Sequence, residues 1–209
     1  MINVLIADDH TVVRRGLRQI LEEAPDMTVT GEASTGQDVL KALRREDYDV
    51  LVLDISMPDG GGLEVLNQLH DISPDLPVLI LSIHGENQYA ARAFRAGAAG
   101  YLTKDRAPEE LITAIRRLAC GGKYITRSLA TTLANRLGKK QGTSHEILSD
   151  REFQVMCLLA SGLRITDIAE DLSLSAKTVS TFRTRILEKL NLKTTADIIR
   201  YALEHDLVE

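Results

Sequence analysis

The sequence predicts an α/β doubly wound five-stranded parallel sheet, followed by a small all-α helix-turn-helix domain. Three observations predict it. Short apolar runs alternate with longer amphipathic stretches over the first 120 or so residues. A polar, glycine-bearing stretch, Gly138–Ser144, then interrupts the pattern. Beyond it every periodic segment is helical. Domains are therefore expected at 1–120 and 145–209, joined by a linker over 121–144.

The apolar runs are Val4–Ala7, Val50–Leu53, Val78–Leu81 and Gly100–Leu102, with a weaker one at Met27–Thr30. Each is too short for a helix and suits a strand buried on both faces. The amphipathic stretches are Val12–Glu22, Gly36–Arg45, Leu63–Leu69, Glu86–Arg95 and Pro108–Leu118. In the first of them Val13, Leu17, Ile20 and Leu21 fall on one helical face. Strand and helix in strict alternation imply parallel strands with helices on both sides. A further amphipathic piece, Leu129–Leu137, lies in the linker. After the linker, Ser149 and Glu152 have the spacing of a capping box, with Leu148 and Phe153 placed as a hydrophobic staple. Helices are expected over Thr166–Asp171, Ala176–Leu190 and Thr195–His205.

Hydrophobic residues make up 44% of the 209 and charged residues 26%, the balance of a globular chain. No apolar run approaches the length of a bilayer crossing. The start, Met1 to Ala7, meets Asp8 without a basic segment and reads as a strand, not as a signal peptide. Two cysteines, Cys120 and Cys157, lack metal-ligand neighbours and suit a reducing cytoplasm. The net charge of −5 excludes a uniformly basic surface and leaves room for a local cationic patch.

Ligands of doubly wound sheets sit at the carboxyl ends of the strands. Asp8-Asp9, Asp54, Ser82 and Thr103-Lys104 stand at four of those ends. Carboxylates gathered this way repel unless a cation joins them, and an oxygen donor set open to phosphate suits Mg²⁺. An Asp carboxylate can attack a phosphoryl group, with the metal and Lys104 neutralising its oxygens.

A second constellation lies on the helix Ala176–Leu190, capped by Ser175. With Val179 at the centre of the inner face, Phe182, Ile186 and Leu190 fall beside it. The opposite face carries Lys177, Ser180, Thr181, Thr184, Arg185 and Glu188, with Arg183 and Lys189 on the flanks. Hydroxyls framed by cations suit a major groove, the hydroxyls on base edges and the cations on phosphates or guanine. The short helix before it and the tight Ser173-Leu174-Ser175 turn complete a helix-turn-helix.

The first domain resembles a response-regulator receiver along its whole length. The resemblance rests on Asp8-Asp9-His10, Asp54, Met57-Pro58, Gly61-Gly62, Ser82, Tyr101 and Lys104. It implies that Asp54 is the phosphoacceptor. It also implies that Asp9 and the Ser56 carbonyl bind Mg²⁺ directly, with Asp8 helping through water. Ser82 and Tyr101 would be the switch pair, the ring turning inward when the hydroxyl swings to the phosphoryl group. Residues Leu148–Glu209 resemble the LuxR-type helix-turn-helix domain through Leu148–Glu152, Gly162, Ile168-Ala169, Leu172, Thr178-Val179, Ile186 and Lys189-Leu190. Thr178 thereby joins the residues expected at DNA.

Together the two resemble the NarL/FixJ class of transcription factors. That resemblance implies a sensor histidine kinase as donor, double-stranded promoter DNA as target and a homodimer as the active form. Candidate dimer surfaces are the last helix, with Ile198, Ile199, Ala202 and Leu203, and the outer faces of Val12–Glu22 and Pro108–Leu118.

The departures are Asp105 where a proline is common after the lysine, Arg164-Ile165 where a helix cap is usual, and Phe182 where His is common. The second leaves Thr166 as a candidate cap. His10 and His84 also stand near the acidic edge, as candidate metal or phosphorelay groups or as polar loop residues. Two other readings are open at this level. One is a hydrolase working through an aspartyl-phosphate, although Ser56 stands where such enzymes need a second carboxylate. The other is a phosphoryl sink whose output domain no longer binds DNA.

Overall fold

The computed structural model describes residues 1–57, 61–83, 85–127, 129–131, 144–205, 207 and 208. Pro58, His84 and most of the linker, including residues 132–143, lie outside the described residues. The chain divides into two compact units, Met1–Leu133 and Ala134–Glu209.

In the first unit β1 (Ile2–Ala7), β2 (Met27–Ala33), β3 (Val50–Asp54), β4 (Val78–Ser82) and β5 (Gly100–Thr103) form one parallel sheet, ordered β2-β1-β3-β4-β5. The helices between and after them are α1 (Thr11–Glu22), α2 (Gly36–Leu43), α3 (Gly62–Ile72), α4 (Glu86–Arg95) and α5 (Ala107–Ala119). Every residue of β3 and β4 is buried, as expected of central strands covered on both faces. On one face Val4, Ile6, Val50, Val52, Leu79, Leu81 and Leu102 pack with Leu17 and Leu21 of α1 and Leu111, Ile115 and Leu118 of α5. Burying such a side chain contributes roughly 1.5–3 kcal/mol. The alternate strand residues Leu5, Leu51, Leu53 and Ile80 are buried as well, leaving α2, α3 and α4 to cover the opposite face.

Strand β2 runs to Ala33, three residues beyond the apolar run that marks it in the sequence. It is an edge strand with alternating exposure, and its end carries Gly31 and Glu32, which disguise it. The other boundaries shift by up to three residues. The sheet order reverses between β1 and β3, where Ala7 pairs with Leu53. Asp8 and Asp54 therefore leave the sheet side by side at its switch point.

In the second unit a 3-10 turn, Ser144–Ile147, precedes α6 (Asp150–Ala160), α7 (Ile165–Asp171), α8 (Ala176–Lys189) and α9 (Thr195–Glu204). Helix α6 is the centre: all residues from Glu152 to Ala160 are buried. Its capping box forms, and Leu148 and Phe153 are both buried. Ser175 caps α8 by accepting from the Thr178 N–H. The short helix α7 differs from expectation. Arg164 stands at its cap without a side-chain bond, and Thr166 lies inside the first turn, donating to Asp167. Arginine offers only donors, so the cap position cannot satisfy the free N–H groups. No helix among the described residues is long and apolar enough to cross a membrane.

Candidate phosphoryl-acceptor site and nucleic-acid interface

The acidic edge forms where β1, β3 and β5 end. Asp8 and Asp54 are each 1% exposed, and both face the ammonium of Lys104, at 2.6 Å and 2.9 Å. The Ser56 N–H donates to Asp54 Oδ1 at 3.2 Å, and the His10 N–H to Asp8 Oδ1 at 2.8 Å. The His10 ring lies beside Asp9, with Nδ1 2.8 Å from Oδ1. Asp8, Asp9, His10 and Asp54 offer donor atoms within 4.8 Å of one another. Of these, His10 is exposed and touches the cluster from outside.

Burial raises the Asp54 carboxyl above its ordinary pKa; Lys104 opposes this and Asp8 adds to it. Burial works against the charge on Lys104, yet Asp54 and Asp8 outweigh it and hold the ammonium above its usual value. One lysine thus fails to neutralise its carboxylate neighbours. Three carboxylates against one ammonium leave a formal charge of about −2, which matches a hard divalent cation. The carboxylate oxygens of Asp8, Asp9 and Asp54 fit Mg²⁺.

Gly61 and Gly62 shape the wall below Asp54. Gly61 has φ 84°, a conformation that favours glycine. A Cβ on Gly62 would stand 2.2 Å from the Asp54 carbonyl oxygen. Ser82 is fully buried at the end of β4, and its carbonyl accepts from the Lys104 N–H at 2.8 Å. The register opposes Ile80 to Tyr101 and Ser82 to Thr103, so Ser82 and Tyr101 share one face of the sheet. The Tyr101 ring is wholly buried, so it is not the half-buried edge residue that its strand position allows. Helices α4 and α5 both pack on β5 and close that edge.

On α8, Val179 and Ile186 are fully buried and Leu190 nearly so. Lys177, Ser180, Thr181, Thr184 and Arg185 are exposed on the opposite side, and Thr178 is half-buried against the Ser175 hydroxyl. Thr181 and Thr184 donate to the carbonyls of Lys177 and Ser180, which leaves their oxygen lone pairs and methyl groups outward. Lys177, Thr178, Thr181, Phe182 and Arg185 line a shallow depression. The two flanking cations are engaged within the unit. Arg183 donates to Thr195 Oγ1 at 2.7 Å, and Lys189 meets the buried Glu152 carboxylate at 2.6 Å.

Sequence reasoning missed Glu152 as the partner of Lys189, and Arg14 as a neighbour of the acidic turn. Arg14 stands one turn before Leu17 beside the apolar stripe of α1, where a charged group must find a partner. That position was the available signal.

Residues 4–116 match the model of the response regulator receiver domain, and residues 146–202 that of bacterial regulatory proteins of the luxR family. The chain is similar to the response regulator UvrY of Escherichia coli K12, at 40% identity over 99% of this chain and 96% of that one. It is similar to the response regulator GacA of Pseudomonas aeruginosa, at 36% identity over 100% and 99%. Its structure is similar to RcsB of Salmonella enterica serovar Typhimurium, solved bound to promoter rprA in the presence of phosphomimetic BeF3-. The TM-score is 0.65 and the identity 29%, over 96% of this chain and 98% of that one. Fold and matches define a response regulator with a DNA-binding output domain. The chain belongs to the NarL/FixJ family of two-component response regulators, transcription factors that act under phosphorylation control.

Proposed function

We propose that Asp54 accepts a phosphoryl group from the phosphohistidine of a sensor kinase, and that the phosphorylated chain binds promoter DNA as a homodimer through α8. The observation that carries this is the placement of Asp54. It is a buried carboxylate held by the Lys104 ammonium and the Ser56 N–H, with Asp8 and Asp9 beside it.

Asp54 Oδ attacks phosphorus, an O–P bond forms, and the P–N bond to the histidine breaks. Lys104 neutralises a phosphoryl oxygen throughout, and the Ser56 N–H keeps the other carboxylate oxygen turned away. Asp8, Asp9, Asp54 and the Ser56 carbonyl would hold Mg²⁺, which supplies charge neutralisation at the transferring group. Water later hydrolyses the acyl phosphate slowly, since Ser56 replaces the second carboxylate that a dedicated phosphatase needs.

The phosphoryl group brings about two negative charges and strong acceptor oxygens. The Ser82 hydroxyl turns to one of them. The Tyr101 ring is already buried without a phosphoryl group, so no inward turn is needed, and the shift of Ser82 locks that buried position and the packing of α4 and α5 around it. Two copies of α8, related by a two-fold axis, read a palindromic site. Lys177 and Arg185 contact phosphate or guanine, and Ser180, Thr181 and Thr184 reach base edges. Arg183 and Lys189, expected at the DNA from their place on the helix, are instead engaged by Thr195 and Glu152 and are left out of the contacts. On α9, Leu203 is exposed and Ile199 half-buried, which supports this helix as part of the dimer surface. The organisation is a receiver over 1–120, a linker over 121–144 and an output domain over 145–209, working in a reducing cytoplasm.

The test is labelling by a small phosphodonor followed by gel shift on a selected operator. Wild type should label only with Mg²⁺ and gain affinity for DNA on labelling, and Asp54→Asn should do neither. Full labelling of Asp54→Asn would sink the assignment.

A further inference from the structure

Arg14 lies on α1, and its side chain is 13% exposed. Its guanidinium reaches three acceptors at once. One NH1 proton goes to the main-chain carbonyl of Asp8 at 2.6 Å. Nε donates to Glu32 on β2 at 3.2 Å, and NH2 to the Thr11 hydroxyl at 3.3 Å. Glu32 is itself gripped from the other side by Arg18, at 2.8 Å and 2.6 Å. Hydrogen bonds from Arg18, and then from Arg14, keep that carboxylate below its ordinary pKa. A planar fork with a fixed anion at one end has little freedom at the other.

The bond to the Asp8 carbonyl sets this arrangement apart from a surface ion pair, which Glu32 alone would satisfy. A peptide unit is planar, so holding the Asp8 carbonyl fixes the N–H of Asp9 and the position of the Asp9 Cα from which that side chain leaves. The amide side of Asp8 is fixed too, by its N–H to the Ala33 carbonyl at 3.2 Å. Asp8 and Asp9 repel each other and Asp54, and a turn free to adjust would separate them. Arg14 opposes that from behind, with a positive charge that ligates nothing in the pocket.

We propose that Arg14, braced by Glu32, is a positioning residue for the metal site: it holds the Asp8-Asp9 turn in the geometry that captures a divalent cation. The inference rests on the reading of Asp8, Asp9 and Asp54 as a Mg²⁺ site. Groups that orient ligands without touching the metal typically affect its affinity by about 10–100-fold.

The experiment is calorimetric titration of Mg²⁺ into the full chain, paired with the rate of labelling by acetyl phosphate as Mg²⁺ is varied. Arg14→Met should weaken Mg²⁺ binding about tenfold or more and raise the half-saturating Mg²⁺ by the same factor. Its labelling rate at saturating Mg²⁺ should stay near wild type. Arg14→Lys should recover part of the affinity, because an ammonium reaches the carbonyl but cannot brace against Glu32 as well. Glu32→Gln should shift the affinity in the same direction by less, and it carries the test if Arg14→Met does not fold. Wild-type Mg²⁺ affinity in a folded Arg14→Met, even with a lowered melting temperature, would make Arg14 merely structural and overturn the proposal. So would a fallen plateau rate with unchanged half-saturation. A wild-type chain that takes up no Mg²⁺ defeats the site reading itself, and this inference with it.

Discussion

Replacing Lys189 by Met keeps the bulk of the side chain and removes its charge from the Glu152 carboxylate. In the structure the two groups stand 2.6 Å apart, with Glu152 buried and Lys189 39% exposed. Breaking a fully buried pair by removing one partner costs about 3–5 kcal/mol. Solvent at the lysine end screens the pair. Glu152 also keeps the Ser149 N–H, at 2.8 Å. The expected loss is therefore about 1–3 kcal/mol at neutral pH. For a domain of this size each kcal/mol lowers the melting temperature by roughly 4–8 °C.

The loss should depend on pH in a definite sense. Burial pushes the Glu152 carboxyl upward, but Lys189 and the Ser149 N–H outweigh it and hold the pKa below the ordinary 4.5. A depressed carboxylate contributes stability above its unfolded pKa and loses it as pH falls through the folded value. In Lys189→Met burial is less opposed, so Glu152 takes up a proton at higher pH and the deficit shrinks as the solution is acidified. Calorimetry of the full chain at pH 7 and about pH 4 follows both values through the transition of the output domain.

DNA binding supplies an independent readout. Each phosphate contact contributes about −0.9 to the slope of log K against log salt. Lys177→Ala and Arg185→Ala should each flatten that slope by about 1 per bound copy. Lys189→Met should leave it unchanged. A Lys189→Met variant that melts like wild type at pH 7 and flattens the slope by about 1 would refute the reasoning and place Lys189 on the DNA.

Ser82→Ala should label at Asp54 yet gain little affinity for the operator; normal activation of the labelled variant, measured by gel shift, would break the proposed coupling. Gly62→Ala places a Cβ 2.2 Å from the Asp54 carbonyl oxygen, so the backbone must move. The expected cost is about 1–3 kcal/mol, with slower labelling, read by denaturant unfolding and phosphodonor kinetics. Thr181→Ala or Thr184→Ala should change which sequences a randomised pool yields while the salt slope stays near wild type; an unchanged selected sequence for both would remove these hydroxyls from the reading face.

Much of the chain is legible in the sequence because two periods of burial dominate it. Val50–Leu53 and Val78–Leu81 are wholly buried, so they stand out as unbroken apolar runs. The edge strand β2 does not, since half of it faces outward and Glu32 serves a salt-bridge network there. Caps made by neighbouring residues, such as Ser149 with Glu152 and Ser175 with the Thr178 N–H, depend on local spacing and are readable directly. The missing cap of α7 is readable only in part, since Arg164 shows that the usual residue is absent and not what replaces it.

The sequence by itself determined which residue types meet at the carboxyl edge. Alternating strands and helices leave few topologies, and a parallel sheet carries Asp8, Asp54, Ser82 and Lys104 to one side in all of them. It likewise determined that α8 has an apolar face and a face of hydroxyls and cations. Only the tertiary structure decided which charges are committed and which are open. Lys189 and Glu152 are 37 residues apart, and Arg14 and Glu32 are 18 apart. Neither pairing leaves a periodic trace. Charge partners depend on where separate elements cross, and that is set by the summed packing of cores rather than by any local pattern. The cationic flank of α8 thus looks uniform in the chain and is divided in the fold, with Lys177 and Arg185 exposed while Arg183 and Lys189 hold the domain together.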